Sequence, residues 1–129
     1  MLIEVKTTKV SFLDGPSLAN RLYDLLLGCT QLDVAMAYVK IGGLRTLLKN
    51  ADTMIERNVP IRIVFGLSSR QGITDRESAE ELLDLSHRKN ITVKKWNNCG
   101  FHPKLLILHG NPSSIIVGSS LGKRPTLLQ

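Results

Sequence analysis

The sequence predicts an α/β fold: a mixed β-sheet flanked by helices on both faces, in a single domain spanning residues 1–129. Three observations carry this. Strand-like and helix-like segments alternate in the order β-α-β-α-β-α-β-β-β. The run "KLLILHG" is apolar at consecutive positions, as in a central strand covered on both sides. And 129 residues, 43% of them hydrophobic, suffice for one core without a second.

The first strand is expected in "IEVKTTKVSFL", residues 3–13, which has β-branched residues and no helical period. In "DGPSLANRLYDLLLGC", Leu18, Leu22, Leu25 and Leu26 keep a helical spacing, and Gly28 marks the stop. "QLDVAMAYV" is a short apolar strand. "GGLRTLLKNADTMIERN" is a second helix, with Leu44, Leu47, Leu48 and Ile55 on one side. Pro60 opens the strand "PIRIVFG" and Gly66 closes it. A polar loop follows, and "TDRE" reads as a capping box in which Thr74 caps the helix and Glu77 reaches back. That helix is expected to run to about Asn90. "ITVKKW" is a strand, "NNCG" a turn, and "HPKLLILHG" and "SSIIVGSS" are two strands around a Gly-Asn-Pro turn. The ending "GKRPTLLQ" resembles a loop entering a helix that then stops, as in a domain truncated at its C-terminus.

Aromatic residues make up only 5% of the chain, so the core is expected to be mainly Leu, Ile and Val. No apolar stretch approaches the roughly 20 residues needed to span a bilayer. The N-terminus lacks the long apolar region of a signal peptide. Cys29 and Cys99 are too few for a disulfide scaffold, and a cytoplasmic protein with reduced thiols is expected. The net charge of +6 suits a polyanionic partner, nucleic acid first. The basic residues are dispersed and aromatic interleaving is sparse, so no stacking platform for single strands is evident.

The chemistry concentrates at "GFHPKLLILHG". Residues i and i+2 of a strand share a face, so His102 and Lys104 point the same way. An imidazole can serve as a nucleophile or proton carrier near neutral pH, and a neighbouring lysine can neutralise a phosphate oxygen. On spacing alone, a surface His-x-Lys is the commoner reading. The wider pattern, "HPKLLILHGNPSSIIVGSSL", resembles the phospholipase D-like (HKD) superfamily. Its motif is His-x-Lys, four residues, Asp, a short gap, then Gly-Ser-x-Asn. His102, Lys104, Gly118 and Ser119 match. "AYVKIGGLRTLL", "IRIVFG" and "GFHPKLLIL" look most like the branch found in restriction-type endonucleases and helicase-linked nuclease domains, and the resemblance covers nearly the whole chain.

This sequence departs from the motif twice. His109 stands at the Asp position, seven residues from His102 and therefore on the opposite face of a regular strand. Leu121 stands at the Asn position, where a leucine cannot bind phosphate oxygens. A downstream acidic residue of the family is also missing. The resemblance implies a phospholipase D-like fold and a metal-independent, cofactor-free phosphodiesterase. His102 would attack phosphorus, and the same residue of a second subunit would protonate the leaving oxygen. Lys104 and the Ser119 hydroxyl would hold the phosphoryl oxygens. One histidine per chain makes a homodimer the natural solution. The substrate is expected to be nucleic acid, DNA before RNA or lipid, with Ser120, Arg70, Lys94 and Lys95 as further contacts. Leu121 favours a second reading: a catalytically impaired module of this fold that dimerises or binds DNA in a restriction or helicase system.

Other constellations are weaker. Cys99, His102 and His109 offer three zinc ligands where a structural site needs four, and two of them face opposite sides. His87 falls near a helix end, where a cation suits the dipole. "GLSSRQGITDRE" could bind an anion ahead of a helix, although a solvated loop is the commoner reading.

Overall fold

The sheet is assembled around β1 (Gln31–Met36), whose side chains alternate between a buried and a half-buried face. The computed structural model describes residues 22–69, 72–97, 104–111 and 113–117. The expected strand at 3–13 and the tail at 122–129 lie outside these. The described elements begin with α1 (residues 22–27), followed by β1, α2 (Ile41–Asn50), α3 (Asp52–Glu56) and β2 (Ile61–Gly66). A small hairpin of β3 (Ser68–Ser69) and β4 (Gly72–Ile73) precedes α4 (Arg76–Leu85). The chain then runs through β5 (Ile91–Trp96), β6 (Lys104–His109) and β7 (Ser114–Val117).

The five-stranded sheet has the order β5-β2-β1-β6-β7. β1, β2 and β5 are parallel, whereas β6 and β7 are antiparallel to their neighbours. This is the mixed α/β sheet that the sequence predicts. The chain steps from β1 to β2 to β5 in one direction across the sheet. Right-handed crossovers therefore put both connections on the same face. Leu22 and Leu26 of α1, Leu44 and Leu47 of α2, Met54 of α3 and Leu82 and Leu85 of α4 all enter one core cluster. They meet Leu32, Val34 and Met36 of β1, Ile61, Ile63 and Phe65 of β2, and Leu106 and Leu108 of β6. Helices were expected on both faces; the described helices all pack on this one. At roughly 2 kcal/mol for each large aliphatic side chain buried, this cluster is the main driving force for folding.

The second predicted helix is two helices. It breaks at Ala51, whose amide bonds the carbonyls of both Leu47 and Leu48. α3 then closes in a Schellman motif: the amide of Asn58 bonds Ile55, and that of Val59 bonds Met54. Asn58 has a φ of 58°, the left-handed conformation that asparagine tolerates better than other side chains except glycine. α4 stops at Leu85, short of the predicted Asn90.

The capping box is also different from the one expected. Asp75, not Thr74, caps α4, accepting from the Ser78 amide at 2.8 Å. Its second oxygen accepts from the Ile41 amide at 3.1 Å and so satisfies the start of α2, whose own N-cap residue, Lys40, makes no side-chain cap bond. Thr74 is occupied elsewhere. Its hydroxyl accepts from the Val39 amide at 2.9 Å and donates to the Gly66 carbonyl at 2.7 Å, which ties the segment after β1 to the end of β2. Glu77 faces Arg45 of α2. Under this clasp lies the buried ring of Tyr38, so close to Gly72 that a Cβ there would stand 2.7 Å from Tyr38 Cε2.

One carboxylate thus serves two helix ends. Asp75→Ala should lower stability by about 2 kcal/mol, the upper end for loss of one N-cap. Asn58→Gly should leave stability equal or slightly higher, whereas Asn58→Val should lose about 1–2 kcal/mol. Urea unfolding followed by circular dichroism measures all three.

Candidate active site

In a parallel set, all strands end at one edge. Here that edge carries Met36, Gly66 and Trp96, the last residues of β1, β2 and β5. β6 runs the other way, so its first residue, Lys104, arrives at the same edge and pairs with Met36. Ligands of open α/β sheets bind at this carboxyl edge, beside the point where strand order or direction switches.

Lys104 lies on the helix-covered face of β6 and is only 8% exposed. Ser78 and Lys104 are the buried polar or charged residues among those described. An ammonium buried this far is held by polar or aromatic partners in place of water. The register places Lys95, Phe65, Met36 and Lys104 in one row across the sheet. Lys95 and Lys104 are thus three strand spacings apart, about 14 Å. Lys94 and Lys95 are exposed and belong to the same end of the sheet without touching the Lys104 position. Of the other expected site residues, His102, Ser119, Ser120 and Arg70 lie outside the described residues, as do Leu121 and Cys99.

His109 is on the opposite face from Lys104, as strand alternation requires. There it meets a carboxylate that the sequence reading did not single out. Asp33 of β1 bonds His109 Nε2 at 2.8 Å on one side. On the other it takes a bidentate pair from Arg62 of β2, both bonds 2.6 Å. Gln31 donates to the same carboxylate at 3.1 Å. The bonds from Arg62 hold the Asp33 carboxyl far below the ordinary carboxylate range; partial burial opposes this, and the bonds from His109 and Gln31 add to it. The cluster spans β2, β1 and β6, and occupies the end of the open face farther from Lys104. A charged residue inside each of two neighbouring apolar strands, "QLDVAM" and "IRIVFG", is the sequence signal for it.

Toward the carboxyl edge the open face becomes a shallow groove of about 370 Å³, lined by Ala35, Val64, Leu105 and Ile107 and flanked by Asp33, Arg62 and Lys94. Among the described residues no helix is long and apolar enough to cross a membrane. The chain matches no protein-family model, and no curated protein matches it.

Asp33 also makes the stability depend on acid. Its folded pKa is depressed, so its contribution is complete above the unfolded value of about 3.9 and is lost as pH falls below it. Wild type should lose urea resistance progressively as pH falls from about 5 through the unfolded value of about 3.9 and on toward the depressed folded one. Asp33→Asn should be weaker at pH 7 and lose less on acidification. Equal pH slopes for the two proteins would show that the carboxylate does not clamp the strands.

Proposed function

We propose that this chain is a phospholipase D-like phosphodiesterase domain that hydrolyses nucleic-acid backbones, DNA before RNA, without a metal cofactor. One observation carries the reading: Lys104, the lysine of the His-x-Lys pattern, is buried at the carboxyl edge, on the first residue of a strand paired with the end of β1. A lysine placed there meets the requirement for a fixed positive charge beside a phosphoryl group. His102 attacks phosphorus, the P–O bond to the leaving group breaks, and a phosphohistidine forms. The partner subunit's His102 gives a proton to the leaving oxygen, then takes one from the water that releases the phosphate. The functional unit is a homodimer in the cytoplasm, and the Ser119 and Ser120 hydroxyls assist Lys104. The net charge of +6 favours a polyanionic substrate over a neutral one.

Leu121, in place of the family's asparagine, favours the second reading: a module that binds nucleic acid and dimerises but cleaves poorly or not at all.

Cleavage of plasmid and oligonucleotide in EDTA separates the two. Wild type should cut, and His102→Ala should lose at least about 100-fold, the lower range for removal of an acid–base group. Lys104→Met should lose a similar factor while its circular dichroism spectrum is unchanged. Leu121→Asn should raise the rate. Cleavage that needs magnesium, or that survives His102→Ala, would sink the mechanism. Binding without cleavage selects the module.

A further inference from the structure

The open face of the sheet carries a stripe on β5 that the phosphodiesterase mechanism does not use. Thr92, Lys94 and Trp96 alternate onto this face, and Lys94 lines the groove. Among the described residues β5 pairs on one side alone, with β2, and is therefore a sheet edge. Trp96 is 44% exposed, although an indole is the largest apolar group that a side chain can bury. Its register partner on β2 is Gly66, which offers no side chain to cover that flank of the ring. Lys94 is exposed on the same face, whereas Lys95 alternates to the other, in the row of Phe65 and Lys104. The groove floor next to the stripe is apolar, and the negative charge at its far end, Asp33, is matched by Arg62 and His109.

We propose that this face binds a single-stranded stretch of nucleic acid, with one base stacked on Trp96 and a flanking phosphate against Lys94. The sparse aromatics of the sequence show no stacking platform, but the sheet sets one exposed ring beside a cation, which is the chemistry of single-strand recognition: the ring takes any base, and the lysine holds the backbone. In a duplex the bases are stacked on one another and offer no face to the indole. The stripe ends at the edge where Lys104 lies, so a strand held there leads toward the candidate phosphodiesterase site. The proposal takes its ligand class from that reading, and charge complementarity supports it independently of the catalytic residues.

The chain has one tryptophan, so its fluorescence reports on this position alone. The His102→Ala protein, in EDTA, would be titrated with an oligothymidylate of about 12 nucleotides and with a duplex of equal length. Saturable quenching by the single strand, at least about 10-fold tighter than the duplex, is the expected result. By labelled-strand anisotropy, Trp96→Ala should weaken binding about 5- to 100-fold, the range for loss of one base stack, and Trp96→Phe should restore most of it. Lys94→Ala should reduce the salt slope by about 0.7, for one phosphate on a single strand, and Lys95→Ala, on the other face, should leave it nearly unchanged. Equal affinity for the duplex, or an unchanged affinity in Trp96→Ala, overturns the proposal. So does emission that shifts with protein concentration and not with oligonucleotide, which assigns the face to a second copy of the chain. Single-strand binding by a wild-type protein that never cleaves would sink the phosphodiesterase and leave this site standing. Cleavage unaffected by Trp96→Ala, with no quenching, would do the reverse.

Discussion

β1 has to hydrogen-bond a parallel strand on one side and an antiparallel strand on the other, and most of the architecture depends on that double pairing. The parallel side grows by crossovers that are right-handed for steric reasons, so the helices collect on one face. The antiparallel side brings β6 in from the opposite end, so that the start of β6 coincides with the end of β1. Lys104 reaches the carboxyl edge for this reason and no other. A parallel β6 would have put the same residue at the opposite edge.

The carboxyl edge is held by polar bonds beyond the ends of the strands. Thr74 links Val39 to Gly66, and Asp75 satisfies amides at the starts of α2 and α4. Burial works against ionisation of Asp75, but the bonds from Ser78 and Ile41 and the charge of Lys40 outweigh it and hold the carboxyl below its usual range. Two adjacent residues therefore brace the loops after β1 and β2. A site assembled at this edge inherits that rigidity, which charge stabilisation of a phosphoryl group requires.

The two faces of the sheet have different chemistries. The covered face is aliphatic up to Lys104. The open face is polar at one end, where Arg62, Asp33 and His109 cross three strands, and apolar toward the other, where Lys94 borders the groove. His109 stands at the position where the resembled family has an acid. Here an acid is on the neighbouring strand, and the imidazole turns toward it in a hydrogen bond. It faces away from Lys104, which separates it from any phosphate held there.

The sequence alone determined what depends on local pattern. Leu22, Leu26, Leu44 and Leu47 follow helical spacing and are buried, and the strands at 31–36, 61–66, 91–96 and 104–109 fall within "QLDVAMAYV", "PIRIVFG", "ITVKKW" and "HPKLLILHG", which read as extended. The His-x-Lys spacing of His102 and Lys104 was likewise visible as residue types, and of the two the structure describes Lys104. Local pattern failed where one side chain had two candidate partners. Thr74 and Asp75 both suit a cap, and only the approach of Val39, Gly66 and Ile41 from distant positions decides between them. Asp33 and Arg62 each looked like an isolated charge in an apolar strand until parallel pairing set them side by side. The same holds for Trp96, which stands opposite Gly66, 30 residues earlier, only through the parallel pairing of β5 with β2. Such contacts depend on register and strand direction, which are set by how the whole sheet closes and leave no mark within any single segment.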